Sequence, residues 1–287
     1  MSATDQAGTA AGSDLDTWTL DEWFVALLAR TILDGEVVFH GFASPCAQIA
    51  MHAARRTHAP ASLLIEGATY AVNPVPSFVP PTGNDLALHR DAVYRMRFEE
   101  FFDAATRGDV DRMFLSGGQI DAFGNTNVTA IGGMPHPKIK LGGGGGGANI
   151  SATIGRLTLW TSRHRSGRTL VPQVDFLTDI GHRTPEGTRA ELGYTGLGPE
   201  WLVTELGVFD YPDDQARLVA LFPDVTVDDV ARATGFELRT ADDLRPVVEP
   251  TRDELAAVRA ADPLAVRRAE FAPQELARRF DRGATAS

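Results

Sequence analysis

The sequence predicts an α/β fold with a parallel sheet, and three observations lead to that prediction. The 287 residues are enough for one large domain or two small ones. Their hydrophobic fraction of 43% and charged fraction of 23% are ordinary values for a globular chain. Amphipathic segments alternate with short apolar runs near the start of the chain, which is typical of helices that connect parallel strands.

The first elements follow one another in the order helix, strand, helix, strand. Their limits come from the amphipathic pattern and from Asp34 and Gly35, which end the first helix. Ser44 and Pro45 are typical of a helix start, as cap and first helical residue. The predicted elements are a helix over residues 18–33, a strand over 36–40, a helix over 44–56 and a strand over 63–65.

The rest of the chain predicts further helices and strands, with no internal repeat or break in composition. Four prolines make residues 73–84 a loop, and residues 181–200 are rich in glycine and charge. The predicted elements are helices over residues 97–107, from 227 onward and over 251–261, and strands over 112–116, 156–161, 174–176 and 201–204.

These elements divide the chain into three parts. We predict a disordered start over residues 1–17, one domain over 18–263 and an Arg-rich tail over 264–287. The arginines of the tail indicate either a solvated terminal helix or a subunit contact.

The charge balance excludes several classes of partner. Lys and Arg number 27 against 38 Asp and Glu, so the net charge is −11 and nucleic acid or an anionic membrane is repelled. No apolar run approaches the ~20 residues of a membrane span, and residues 1–17 lack the features of a secretory signal. We therefore expect a cytoplasmic protein, which the presence of one cysteine, Cys46, also fits.

Glu66 is a candidate catalytic residue because of its position after a strand. It directly follows the apolar run at residues 63–65 and precedes Gly67. Ligand sites in open α/β sheets gather at the carboxyl ends of strands, and a glycine lets a substrate approach closely. Such a carboxylate can act as a nucleophile or a base, or it can be a solvated loop residue.

Six consecutive glycines at residues 142–147 form the second candidate feature. Their backbone N–H groups can line a concavity for an oxyanion or a phosphate, although a flexible surface loop is an alternative. The run lacks both the dinucleotide-binding fingerprint and the Lys-Ser/Thr ending of a P-loop.

Turn residues between the predicted strand at 112–116 and the glycine run form the third feature. Gln119, Asn125 and Asn127 carry amides that can bind a substrate carboxylate or carbonyl. Among the histidines only His136 lies near these features in sequence, and we expect it to be structural. No grouping has metal-ligand spacing, so we predict no metal, and Cys46 is more typical of a small buried residue than of a reactive thiol.

Together these residues resemble the β subunit of family I CoA-transferases, most closely the glutaconate CoA-transferase type. The similarity spans roughly residues 20–265, and its central block is specific. The segments that carry it are residues 34–38, 65–67, 117–121, 123–127, 136–138, 146–149, 203–209 and 234–236.

The resemblance implies an open α/β sheet with helices on both faces and a separate α subunit that completes the active site. It implies ping-pong transfer of CoA from an acyl-CoA to a carboxylic acid, through a glutamyl-CoA thioester on Glu66. It also implies an oxyanion and CoA site drawn from Gly145, Gly146, Gly147, Ala148 and Asn149. Coenzyme A is then a substrate, and no bound cofactor is expected.

One departure from the family pattern keeps two alternatives open. The family has a polar residue between the glutamate and the glycine, whereas Gly67 follows Glu66 directly. A related branch, the β subunits of steroid ring-degrading hydrolases, opens a ring of a CoA thioester with water. A subunit that only shapes a CoA pocket is the other alternative. Lys138, Lys140 and Arg163 are candidates for the CoA phosphates or for a plain surface role.

Overall fold

The computed structural model describes residues 14–42 and 44–283. Helix α1 begins at a capping box, in which the backbone N–H of Thr19 donates to Glu22 over 2.9 Å. Helix α2 has Pro45 at its first position, as predicted. The α-helices are α1 (Leu20–Arg30), α2 (Pro45–Arg56), α3 (Phe98–Arg107), α4 (Gly147–Thr153), α5 (Val227–Ala233) and α6 (Arg252–Ala261).

Eighteen strands are found in the part of the chain that the structure describes. In chain order they are β1 (Thr17–Thr19), β2 (Val37–His40), β3 (Leu63–Ile65), β4 (Ala71–Val72), β5 (Tyr94–Arg95), β6 (Arg112–Ser116), β7 (Gln119–Ile120), β8 (Thr126–Asn127), β9 (Ala130–Ile131), β10 (Ile139–Lys140), β11 (Arg156–Thr161), β12 (Arg183–Thr184), β13 (Gly187–Thr188), β14 (Pro199–Thr204), β15 (Gly207–Asp210), β16 (Arg217–Leu221), β17 (Arg239–Pro246) and β18 (Arg279–Asp281).

Ten of these strands form one mixed sheet with a parallel centre. Its order is β17-β16-β15-β14-β11-β6-β2-β3-β4-β5. The five central strands β14, β11, β6, β2 and β3 are all parallel, so their carboxyl ends meet at one edge. Antiparallel pairs extend the sheet on both sides, through β4 and β5 at one end and β15 and β16 at the other.

The hydrophobic core lies between the sheet and its helices. Helix α1 is buried over almost its whole length and packs against α2 and α6, while α3 packs against α4. Trp23 of α1 meets the rings of Phe222 and Phe280 edge to face, with centroids 5.1 and 4.9 Å away. The core therefore joins residues from both ends of the described chain.

The structure confirms the α/β prediction and most of the predicted elements. The predicted strand over residues 174–176 is wrong, because this segment makes hydrogen bonds to side chains rather than to a strand. The N–H of Asp175 donates to the Gln119 side chain, and its carboxylate accepts from Gln119 and from the N–H of Gly132. The predicted loop over 181–200 contains the short hairpin of β12 and β13.

The Arg-rich tail is not a solvated helix in its described part. Short 3₁₀ turns at Val266–Glu270 and Glu275–Ala277 lead into β18, which pairs with β1. Arg267 is buried and forms ion pairs with Asp21 and Asp262. Residues 1–13 and 284–287 of the predicted start and tail lie outside the described residues, and the three-part division of the chain stays a prediction.

No helix among the described residues is both long and apolar enough to span a membrane.

Candidate functional site

The carboxyl ends of the five parallel strands carry the residues that the candidate site requires. His40, Ser116 and Thr161 are the last residues of β2, β6 and β11, and Glu66 and Glu205 directly follow β3 and β14. Ligands of open α/β sheets bind at this edge, so a cavity beside these residues is a candidate ligand site.

The Glu66 carboxylate is enclosed by three polar side chains. His52 Nε2 lies 2.9 Å from Oε1, while Gln48 Nε2 and His40 Nε2 lie 2.6 and 3.0 Å from Oε2. His40 comes from β2, and Gln48 and His52 lie four residues apart on one face of α2. Glu66 itself is only 1% exposed. We call these four side chains the Glu66 cage.

The cage favours the ionised form of Glu66. Burial on its own raises the pKa of a carboxyl group, but the hydrogen bonds from His40 and His52 outweigh it and hold the pKa of Glu66 well below its usual range. Gly67 packs tightly beside the cage, since a Cβ there would lie 2.3 Å from the carbonyl oxygen of His40. Close packing of backbone therefore accounts for the glycine at this position.

The glycine run forms one wall of a cavity of about 520 Å³, which we call the glycine-lined cavity. Residues 142–145 contribute backbone to this wall, and Met113, Leu115 and Trp160 contribute apolar side chains from the central strands. This volume lies in the range of ligand sites in other proteins, roughly 300–1,000 Å³. Five of the six glycines therefore line a concavity, and their binding of an oxyanion or of CoA stays a prediction.

The predicted oxyanion and CoA residues are not equivalent in the structure. The N–H groups of Gly145 and Gly146 donate to no backbone acceptor among the described residues, whereas the N–H of Gly147 donates to the Gly144 carbonyl. Gly145 and Gly147 line the cavity, and the Gly146 Cα faces Phe102. Ala148 and Asn149 are exposed in the first turn of α4 and do not line it.

Glu66 and the glycine-lined cavity are neighbours that do not meet. None of the Glu66 atoms lines the cavity. Phe42 and Ser44 line both this cavity and a small void of about 30 Å³ that reaches His40 and Gln48 of the cage. The void is large enough for about one water molecule. Phe42 and Ser44 thus border both halves of the predicted site.

The three predicted substrate-binding amides already have protein partners. Asn127 donates to Gln119 Oε1 over 2.7 Å, and Asn125 donates to Asp121 over 2.9 Å and accepts from the N–H of Gly181. All three side chains are buried. They brace the turn between β7 and β8, and their binding of a substrate stays a prediction.

The remaining predicted residues lie apart from the cage. His136, Lys138 and Lys140 are exposed, and neither lysine lines a cavity at the carboxyl edge. Cys46 is fully buried in the first turn of α2, and burial raises the pKa of its thiol well above the usual range. This agrees with the interpretation of Cys46 as a small buried residue. Arg163 lines a second cavity, described below.

Two histidines and two carboxyl groups were not predicted from the sequence. His40 and His52 contact Glu66, so the expectation that only His136 lies near the site is wrong. Glu205 is fully buried with Oε2 unpartnered, and burial raises its pKa to about 7 against the donation from the N–H of Arg165. Burial likewise raises the pKa of Asp179, to about 6, against the hydrogen bond from Thr126.

The cage is a hydrogen-bonded cluster rather than a metal centre. Within residues 14–42 and 44–283, no group of three His, Cys, Asp or Glu side chains is placed to hold a metal ion. The absence of a bound metal from the protein stays a prediction.

The mixed sheet and the cavity at its carboxyl edge define an α/β protein with a ligand-sized site at the end of its parallel strands. Residues 24–233 match the family model described as Coenzyme A transferase. This match covers more than half of the chain, which therefore belongs to the coenzyme A transferase family, as its motifs predict.

Two similar proteins agree with this assignment, and one solved structure is similar in fold and sequence. The chain is 30% identical over 255 residues to the B subunit of 3-oxoadipate CoA-transferase from Pseudomonas knackmussii, covering 86% of this chain and 95% of the relative. It is 32% identical over 235 residues to the B subunit of glutaconate CoA-transferase from Acidaminococcus fermentans, covering 79% and 86%. The crystal structure of the decarboxylase AibA/AibB matches with a TM-score of 0.76 and 33% identity, covering 88% and 98%.

Proposed function

We propose that this chain is the B subunit of a heteromeric CoA-transferase that moves CoA from an acyl-CoA to a carboxylic acid, with Glu66 as the nucleophile. Both CoA-transferase relatives are B subunits by name, which supports a separate partner subunit. The observation that carries the proposal is a Glu66 carboxylate directly after β3, held by three polar side chains at the same sheet edge as the glycine-lined cavity.

The proposed reaction needs no net proton or electron transfer. A Glu66 carboxylate oxygen attacks the thioester carbon and the C–S bond breaks. CoA leaves as a thiolate, and an acyl-glutamyl anhydride remains on Glu66. The thiolate then attacks the Glu66 carbonyl carbon, which releases the acyl group as a carboxylate and leaves a glutamyl-CoA thioester. A second carboxylic acid repeats both steps in reverse, so the covalent route divides one difficult exchange into easier ones.

The ionisation of Glu66 and the free N–H group of Gly145 suit two parts of this reaction. The attacking species is a carboxylate, and the cage keeps Glu66 in that form. Each addition also creates an oxyanion, for which the N–H of Gly145, a residue that lines the cavity, has no competing backbone acceptor among the described residues. Removal of one such donor costs about 10²–10³ in rate in other enzymes.

The enclosure of Glu66 sets a condition on the proposal. Glu66 lines neither the glycine-lined cavity nor the small void, whereas the side chains of Phe42 and Ser44 line both, so attack on a thioester in that cavity requires these two side chains to move. We propose that acyl-CoA binding, in the complex with the partner subunit, causes this movement.

Peptide mass spectrometry on the complex tests the proposal directly. The complex is exposed to a panel of acyl-CoAs without an acceptor acid, treated with borohydride and digested. We expect a CoA adduct, or its reduced product, on the peptide that contains Glu66. The proposal would be contradicted if the wild-type complex consumed an acyl-CoA during prolonged incubation and no adduct appeared at Glu66.

Hydrolysis is a second candidate function, favoured by the position of Glu66 outside the glycine-lined cavity. Water would then attack the substrate and no acceptor acid would be needed. The same reaction run in ¹⁸O-labelled water separates the two functions. Acyl-CoA consumption that proceeds without an acceptor, labels the product and leaves no adduct on Glu66 supports the hydrolase.

A further inference from the structure

A second and larger cavity adjoins the glycine-lined cavity at the carboxyl edge of the sheet. Its volume is about 890 Å³, and we call it the arginine-lined cavity after Arg163, Arg165 and Arg168 in its wall. The two cavities have part of their walls in common. The residues that line both are Ser116, Gly118, Trp160 and Glu270.

The positive charge at this edge is confined to one loop. Among the described residues that line either cavity, the only lysines or arginines are these three, all within residues 163–168 directly after β11. The glycine-lined cavity has none. The whole chain carries a net charge of −11, so this loop is a local exception that favours an anionic ligand.

Two of the three arginines form no ion pair with a described carboxylate, although Arg163 interacts electrostatically with Glu270. Arg165 donates to Glu275 over 2.8 Å. Arg163 and Arg168 are exposed and form no ion pair with any described residue. Their guanidinium groups are therefore free to bind a ligand, and the fork of donors on arginine matches phosphate oxygens.

The base of the loop is fixed although its arginines are exposed. The ring of His164 is buried, with Nδ1 3.1 Å from Thr204 Oγ1 and Nε2 2.9 Å from Thr234 Oγ1. Gly167 turns the chain at a φ of +67°, and the N–H of Arg168 donates to Ser166 Oγ. A loop held in this way presents its cations to the cavity at little further cost in ordering.

The carboxyl groups in the same wall oppose an anion only weakly. Glu275 is neutralised by two partners, Arg165 and Arg278. Burial raises the pKa of Glu205 and that of Glu270, and the positive charge of Arg163 lowers the pKa of Glu270 in part. Arg163 and Arg168, which form no ion pair, are thus the least compensated cations of the cavity.

We propose that residues 163–168 bind the phosphate groups of coenzyme A in the arginine-lined cavity, while the pantetheine arm passes the shared wall and places the thioester in the glycine-lined cavity. The inference rests on the proposed CoA chemistry. A volume of about 890 Å³ lies within the usual range for a ligand site and suits the nucleotide end of CoA. Lys138 and Lys140 line neither cavity and take no part.

Calorimetric titration tests the inference without any turnover. Coenzyme A, and pantetheine as a probe without phosphates, are titrated into the complex with wild-type chain, R163Q/R168Q or R245Q. Arg245 is the matched control because it is an exposed arginine on β17, remote from both cavities in the sheet order. We expect R163Q/R168Q to bind CoA at least about tenfold more weakly, and R245Q to equal the wild type.

The pantetheine titration shows whether the arginines act on the phosphates. A double variant that binds CoA within twofold of the wild type overturns the inference, as does a wild-type complex that binds no CoA. A parallel loss of pantetheine binding also overturns it, since the arginines would then act through the fold. Where pantetheine is too weak to titrate, its competition with a fluorescent CoA analogue gives the same comparison. Because no adduct is required, failure here is distinguishable from failure of the Glu66 proposal.

Discussion

Glu66 and Glu205 are two buried carboxyl groups at the same edge of the sheet, yet the protein treats them in opposite ways. Each directly follows a parallel strand, β3 or β14, and each is at most 1% exposed. Three side-chain nitrogens lie within 3.0 Å of the Glu66 carboxylate oxygens, and the pKa of Glu66 falls well below its usual range. One oxygen of Glu205 has no partner among the described residues, and burial raises its pKa to about 7.

The difference shows that hydrogen-bond donors, rather than depth of burial, decide the charge of a carboxyl group in this fold. Desolvation acts on both groups in the same direction, toward the neutral acid. Only at Glu66 do donors from two neighbouring elements outweigh it. One edge of the sheet thus holds a carboxyl group that is ionised at neutral pH and another that titrates near neutrality.

Removal of the Glu66 carboxylate gives the largest expected effect. We expect E66Q and E66D to lower CoA transfer by at least about 10³-fold. E66Q removes the nucleophilic carboxylate, and E66D shortens the side chain by one methylene and so moves the carboxylate away from the thioester. Initial rates at saturating acyl-CoA measure this. E66D keeps the charge that the cage binds, so a folded E66D with nearly normal activity would assign catalysis to the partner subunit instead.

Removal of one donor from the cage has a smaller effect, which appears as stability. H52L leaves Glu66 Oε1 without its 2.9 Å partner, and we expect the free energy of unfolding at pH 7 to fall by about 1–3 kcal/mol. H52Q retains an N–H donor and is expected to lose less. Urea unfolding of both variants measures the difference, and equal losses would mean that packing, not hydrogen bonding, explains the role of His52.

Acid weakens this contribution in the wild type. The pKa of Glu66 in the folded state lies below its ordinary value of 4.5, so the stabilisation is complete above that pH and is lost as the pH falls below it. H52L is expected to lose less stability than the wild type between pH 5 and pH 3. An identical acid dependence in the two proteins would remove Glu66 as its source.

Glu205 is expected to give the protein a stability that falls as the pH rises, which is opposite to the pH dependence expected from Glu66. Its folded-state pKa of about 7 exceeds the ordinary 4.5, so stability is greatest below pH 4.5 and is lost as the pH rises toward 7. E205Q removes this loss, and we expect its melting temperature to exceed that of the wild type by roughly 2–4 °C at pH 8 but not at pH 4.5. The exposed Glu237, changed to Gln, serves as control, and a gain that is equal at both pH values would contradict the assignment.

Replacement of Asp179 is expected to give the smallest gain in stability, with the same pH dependence as replacement of Glu205. Burial raises its pKa to about 6, so D179N is expected to gain stability between pH 4 and 6 and by less than E205Q. Thr126 still has an oxygen acceptor in that variant. Melting curves at pH 4.5 and 8 measure the gain, with D103N on the exposed face of α3 as control. A larger pH-dependent gain than in E205Q would reverse the order of the two groups.

Local signals in the sequence predicted much of the fold. Thr226 was expected to precede a helix at 227, and the structure shows its side chain accepting from the N–H of Asp229 in a capping box. Pro45 and the apolar runs at β2, β3 and β6 are equally local, because a few adjacent residues decide them. Residues 174–176 looked like a strand by the same criterion, but Asp175 bonds to the backbone N–H of Gly132 and to the Gln119 side chain, 43 and 56 residues away.

The candidate site was predicted in part for the same reason. Glu66 and the glycines are recognisable from their immediate neighbours, whereas the donors to Glu66 come from 14, 18 and 26 residues earlier on other elements. The spacing of Gln48 and His52 placed both on one helix face, but nothing local showed that this face meets β3. The burial of Glu205 depends in the same way on packing across the sheet.

The pairing of β1 with β18 has a consequence for how the protein is made. Asp16 and Arg282, 266 residues apart, form an ion pair beside these strands, and Trp23 packs on Phe280. On the ribosome, α1 therefore emerges long before the residues that cover its aromatic side chain. The contact between Trp23 and Phe280 can therefore form only when synthesis is almost finished, so this part of the core closes last.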